Sequence, residues 1–162
     1  MAAVVIPNFS STDPAKLDLA VNQVMQAIRM ARSESMRSGK MHGLTISQDT
    51  QQIEVKKYNL TTDTISTDFI LTHPIEKQVY LFNINTDPLT RDVKISNALD
   101  AFLYTDSNRR KSVLFDRNGN PVWFLGTTDK IFQLKEGKVE LSYGGTMRTI
   151  EVAPLTGRVS EQ

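Results

Sequence analysis

Apolar positions repeat with two different periods along this chain, and the change falls at Gly39. Before it, Leu17, Val21, Val24, Ile28, Ala31 and Ser35 recur at steps of three and four, with Ala20 and Ala27 beside them. That spacing lays one apolar stripe along a helix. Lys16, Gln23, Gln26, Arg29 and Arg37 fall on the opposite side. Asp13 is a good N-cap, Pro14 suits the first helical position, and Gly39 can take the left-handed conformation that ends a helix. The pattern predicts an amphipathic helix over Asp13–Ser38, roughly 35–40 Å long at about 1.5 Å per residue. A stripe of that length needs an extended partner. Leu17, Val21, Val24, Ile28 and Ala31 are therefore expected to form the core between this helix and a sheet.

After Gly39 the period becomes two. Leu44 to Ser47 and Ile53 to Lys56 alternate around a Gln48-Asp49-Thr50 turn, which predicts a hairpin with one buried face. Residues 61–67 read as loop, and Phe69-Ile70-Leu71 is a short apolar run stopped by Pro74. A strand is expected over residues 79–84, with Tyr80 and Phe82 on one face, then a turn at Asp87-Pro88. Short strands are expected at residues 93–95 and 102–104, followed by a polar loop carrying Arg109, Arg110 and Lys111. The last third is the clearest β region. Residues 113–115 and 122–125 flank Asn118-Gly119, a strong hairpin dipeptide. Residues 131–134 lead to an expected tight turn at Glu136-Gly137, and residues 139–143 meet 147–152 through Gly144-Gly145. One helix followed by many short antiparallel strands is the α+β pattern.

The first residues break this ordinary picture. Ala2, Ala3, Val4, Val5 and Ile6 form an apolar run that meets Pro7 a few residues before the helix. A short strand or tail is one reading. The other is the last turns of a longer hydrophobic helix, with Pro7 as its kink. On that reading the chain divides into residues 1–12, the end of a truncated hydrophobic helix and its connection, and residues 13–162, a single globular head.

Three segments carry a resemblance. Ala2 to Phe9 resembles the end of the N-terminal hydrophobic segment of type IV pilins and type II secretion pseudopilins. Residues 27–39, Ala-Ile-Arg-Met-Ala-Arg-Ser-Glu-Ser-Met-Arg-Ser-Gly, resemble a helix end found in the H-type minor pseudopilins and the FimT- and FimU-like minor type IV pilins. Residues 112–119 resemble that family's hairpin, and residues 149–152 with Leu155-Thr156-Gly157-Arg158-Val159 resemble its closing strand and tail. The resemblance covers both ends of the chain, while residues 58–108 carry no matching motif. It implies a pilin-like fold, with the long N-terminal helix packed on antiparallel β-sheets. It also implies a precursor cut by a prepilin peptidase and N-methylated, and a single-pass inner-membrane anchor with the head in the periplasm. The partners implied are other pilins or pseudopilins in a filament tip complex.

The chain has 162 residues, 40% of them hydrophobic, long enough for a real core. Nineteen basic and 18 acidic side chains nearly cancel, so bulk charge demands neither a nucleic-acid partner nor a membrane surface. Without cysteine there is neither a disulfide framework nor a cysteine zinc site. No run of about 18 apolar residues occurs.

Chemistry has few footholds. His42 and His73, the only two histidines, lack a metal-ligand spacing and are read as surface or packing residues. Asp116, Asn118 and Asn120 resemble the start of a calcium loop, but Pro121 stands where its glycine belongs, so a turn is preferred. Gly144-Gly145 precedes no helix and is no phosphate cradle. Trp123 and Phe124 point to opposite faces of a strand, and an exposed one would suit a subunit contact. Arg109, Arg110 and Lys111 could meet DNA phosphates, although the balanced charge weighs against it.

These readings converge on a non-catalytic minor pseudopilin or minor pilin that needs no cofactor or metal. The residues from Ala2 to Pro7 would continue into the membrane anchor or filament core. A DNA-binding minor pilin in DNA uptake and a soluble α+β ligand-binding domain are the alternatives.

Overall fold

A computed structural model describes residues 13–58, 71–72, 79–125 and 130–162. The helix α1 spans Asp13–Ser38, as the periodicity predicts. It ends where Gly39 takes φ +66° and donates its N–H to Ser35 O at 3.0 Å, the left-handed cap expected of that glycine. Residues 1–12, with the apolar run from Ala2 to Pro7, lie outside the described residues, as do the expected loop at 61–67 and His73.

Among the described residues eleven strands follow: β1 (His42–Ser47), β2 (Gln52–Lys57), β3 (Leu81–Asn83), β4 (Lys94–Ile95), β5 (Phe102–Tyr104), β6 (Arg109–Arg110), β7 (Ser112–Phe115), β8 (Pro121–Leu125), β9 (Lys130–Tyr143), β10 (Thr146–Val152) and β11 (Val159–Glu161). All their pairings are antiparallel, in the order β11-β10-β9-β8-β7-β1-β2-β3, with β4 and β5 also joined to β9 and β6 to β5. The helix lies across this sheet, touching β1, β2, β7, β9, β10 and β11. The architecture is α+β, with one N-terminal helix on antiparallel strands.

The hairpins follow their turn residues. Gly144 and Gly145 both have positive φ, and Tyr143 pairs with Thr146 across them, the two-residue geometry that matches sheet twist. At the β7–β8 turn Gly119 has φ +79°. Asp116 Oδ1 accepts the N–H groups of Asn118 and Asn120 at 2.8 and 2.9 Å. The Asp116-x-Asn118-x-Asn120 sequence is therefore a turn whose carboxylate satisfies backbone donors.

The expected turn at Glu136-Gly137 does not exist. Both residues sit inside β9, a strand of 14 residues. Its first residues pair with β8, its middle with β5, and its last with β10 and β4. Gly137 serves packing rather than turning. A Cβ there would lie 3.0 Å from both Leu134 Cδ2 and Val152 Cβ and 3.2 Å from Val152 O. The expected loop at Arg109-Arg110-Lys111 is also replaced, because Arg109 and Arg110 form β6 against Leu103 and Phe102. The strand expected over residues 79–84 shrinks to β3, with a bend at Tyr80 and an isolated Thr72–Val79 bridge before it.

The hairpin β1–β2 also departs from expectation, because β1 is buried on both faces. Leu44 and Ile46 face the helix in the main core. Behind the sheet, Met41, Leu114 and Val122 form a second small cluster under Tyr58, Trp123 and Phe124. Gly43 makes room for it: a Cβ there would lie 2.5 Å from Leu114 Cδ2 and 2.6 Å from Val113 O.

Candidate functional site

The helix–sheet seam is built from the five residues the spacing singled out. Leu17 is 1% exposed, and Val21, Val24, Ile28 and Ala31 are fully buried. At about 25 cal/mol per Å2 of apolar surface, each of the larger side chains contributes about 1.5–3 kcal/mol to holding the helix on the sheet. On the outer side, Asp18, Asn22, Gln26, Arg29, Ser33 and Arg37 are exposed at helical spacing. Lys16 and Gln23 were expected there but are half-buried. Lys16 Nζ lies 3.4 Å from Tyr143 Oη and 5.3 Å from that ring's centroid. Gln23 Oε1 is buried without a hydrogen-bond partner.

The motif-bearing segments from residues 27–39, 112–119 and 155–159 converge in space. Arg32 Nε donates to Gly119 O at 3.1 Å. A Cβ on Gly157 would lie 2.7 Å from the same carbonyl and 2.8 Å from Phe115 Cε1. Arg29 Nη2 reaches Val159 O at 3.5 Å. The helix end, the β7–β8 hairpin and the tail thus form one corner. Sequence reasoning found the pieces, while their common contact is non-local and left no signal.

Close by, Ser35 is fully buried in the last turn of α1. Its hydroxyl donates to Ala31 O at 3.0 Å and accepts His42 N–H at 3.0 Å. His42 itself is 2% exposed, with Nδ1 3.0 Å from Lys40 O. Burial pushes its pKa down, partly offset by the Lys40 carbonyl. His42 is thus a packing residue at the sheet's first strand.

The basic segment is largely engaged. Arg110 grips Asp106 through two bonds of 3.0 and 2.6 Å. Its guanidinium carbon lies 5.2 Å from the Tyr104 ring centroid and 4.7 Å from that of Trp123. The hydrogen bonds from Arg110 hold the Asp106 carboxyl far below the usual carboxylate range. Arg109 Nη1 donates to Asp100 O at 3.0 Å, and Arg109 Nη2 lies 3.6 Å from Glu136. Lys111 is exposed. Trp123 and Phe124 are both half-buried. Trp123 packs on the main core as well as the rear cluster, while Phe124 packs on the rear one.

Two concave features stand out among the described residues. One, of about 130 Å3, lies between α1 and β3 and is lined by Gln23, Tyr80, Leu81, Phe82 and Asp87 among others. A wider one of about 360 Å3 is lined by Asn120, Pro121, Ile131, Pro154 and Leu155 among others. Neither is lined by His42. Among the described residues, no group of three or more His, Cys, Asp or Glu side chains could hold a metal ion. Among them, too, no helix is long and apolar enough to cross a membrane.

No family model and no curated protein matches the chain by sequence. Solved structures do match it in shape. The type IV minor pilin FimU of Pseudomonas aeruginosa superposes with a TM-score of 0.55 at 11% identity, covering 93% of this chain and 91% of that one. The minor pseudopilin EpsH from the type 2 secretion system of Vibrio cholerae gives 0.54 at 11% identity, covering 91% of this chain and 96% of that one. The chain therefore has a pilin-like fold, shared over nearly its whole length with a minor pilin and a minor pseudopilin.

Proposed function

We propose that the chain is the head of a minor pilin or minor pseudopilin, a structural subunit of a type IV pilus or type II secretion pseudopilus. The observation that carries this reading is the pilin-like superposition over more than nine-tenths of the chain. The apolar run from Ala2 to Ile6, a few residues before α1 in the sequence, supports it further. An apolar helix continuing upstream of Ala2 would satisfy its own backbone in lipid and hold the head at the periplasmic face of the inner membrane. The same helix would leave lipid for a filament core, where neighbouring apolar helices replace the acyl chains. The role needs no catalysis, cofactor or metal. Its partners would be other pilins or pseudopilins at a filament tip, and a prepilin peptidase acting on the precursor.

Reading the gene upstream of Ala2 tests this directly. A prepilin cleavage site followed by about 15 more apolar residues is expected, and a native polar start at that point would overturn the reading. The full-length product should fractionate with the inner membrane and enter filaments only when its partner minor subunits are present. DNA contact is less favoured, because the Arg110 guanidinium is held by Asp106 and two aromatic rings. A salt-sensitive gel shift lost on substituting Arg109 and Lys111 would restore it.

A further inference from the structure

We propose that the cleft between α1 and β3 is a receptor for an arginine side chain presented by a neighbouring subunit. Its walls combine three unmet needs. Gln23, which lines it, has its Oε1 buried with no hydrogen-bond partner, and a buried unpaired acceptor is destabilising until a donor reaches it. Asp87 spends Oδ1 on the Leu89 N–H at 2.8 Å, and no cation among the described residues pairs with its carboxylate. Val79 and Leu81 stand 58% and 37% exposed at the cleft, beside the Tyr80 and Phe82 rings, whose centroids lie 6.2 Å apart.

An amide oxygen and a carboxylate call for a donor with positive charge, which rules out anionic ligands. The size restricts the occupant further. At about 130 Å3 the cleft falls short of the roughly 300–1,000 Å3 of drug-sized ligand pockets and suits a single head group. A guanidinium fits better than an ammonium. Its planar fork can donate to Gln23 and Asp87 together, it lies flat on aromatic faces, and it sheds water at lower cost. The exposed Val79 and Leu81 point to a polypeptide source, because free arginine would leave them in water, whereas apolar neighbours of a bound arginine would cover them. The position fits too, since β3 is the last strand along the sheet path.

That the arginine belongs to a filament neighbour rests on the proposed function, but the binding itself does not, so the test requires no filament. Amide NMR shifts of the 162-residue chain are followed while adding the acetylated, amidated tripeptide Leu-Arg-Leu. The controls are the same peptide with citrulline and acetylated arginine amide. Saturating shifts centred on Gln23 and residues 79–87 are expected, with the citrulline peptide bound at least about tenfold more weakly. Asp87→Asn, which keeps an oxygen for the Leu89 N–H, should lose a similar factor. Equal binding of the citrulline peptide, shifts centred elsewhere, or no shift at about 10 mM peptide would overturn the site. Acetylated arginine amide binding as tightly as the tripeptide would overturn the polypeptide source. A failed titration leaves the filament reading standing, and a failed fractionation leaves the titration readable.

Discussion

Arg32 and Gly157, 125 positions apart in the sequence, meet at the carbonyl oxygen of Gly119: the guanidinium donates to it at 3.1 Å, and a methyl group on the glycine would lie 2.7 Å from it. Gly157 also has φ +63°. Gly157→Ala should therefore combine left-handed strain with a backbone clash and destabilise by about 2–4 kcal/mol. Gly39→Ala is the control, since its φ is +66° with nothing within 4 Å of the added Cβ, and it should cost only about 1 kcal/mol. Urea unfolding of the two variants measures the difference.

Ser35→Ala should cost about 1–3 kcal/mol, because the buried N–H of His42 then loses its acceptor. Thermal unfolding together with faster amide hydrogen exchange at His42 would show it. Loss of stability without faster exchange there would mean another group had taken the hydroxyl's place.

Two pH windows follow from the shifted groups. His42 has its pKa lowered by burial, so its contribution is present above the usual histidine value of about 6.5 and fades as pH falls through the depressed one. His42→Gln should flatten that part of the stability curve. Asp106 is likewise depressed, chiefly by the hydrogen bonds from Arg110. Its contribution is present above about pH 3.9 and fades at lower pH. The stability gap between the native protein and Asp106→Asn should therefore be constant near neutrality and shrink below about pH 3.9.

Arg110→Lys should cost about 1–2 kcal/mol despite keeping the charge, because an ammonium cannot hold both Asp106 oxygens while lying over Trp123. A double-mutant cycle with Trp123→Leu would then show coupling between the two positions.

The long helix and the tight hairpins were legible because their signals are local. Asp13, Gly39 and the three-and-four spacing all act within a few residues of one another, and so do Asn118-Gly119 and Gly144-Gly145. What failed was non-local. Glu136-Gly137 has the composition of a turn, yet its glycine answers to Val152, and the strand runs straight on. Arg109 and Arg110 read as a solvated loop because Glu136, beside Arg109, and Trp123, under Arg110, become their neighbours only in the fold. Gln23 reads as part of the helix's wet side, but it is half-buried and lines the cleft between α1 and β3. Of the candidate site, the helix–sheet seam was readable, and the cleft beside it was not, since most of its lining comes from residues 79–87.

Strand β9 has a consequence for how the folded chain bears load. Its 14 residues extend for about 46 Å at about 3.3 Å each. Along that length it is stitched first to β8 and last to β10, so the two wings of the sheet share one backbone. A pull that peels either wing must break the strand anchoring the other. The sheet should therefore resist tension as one body and rupture in a single step, a property read directly by stretching individual molecules.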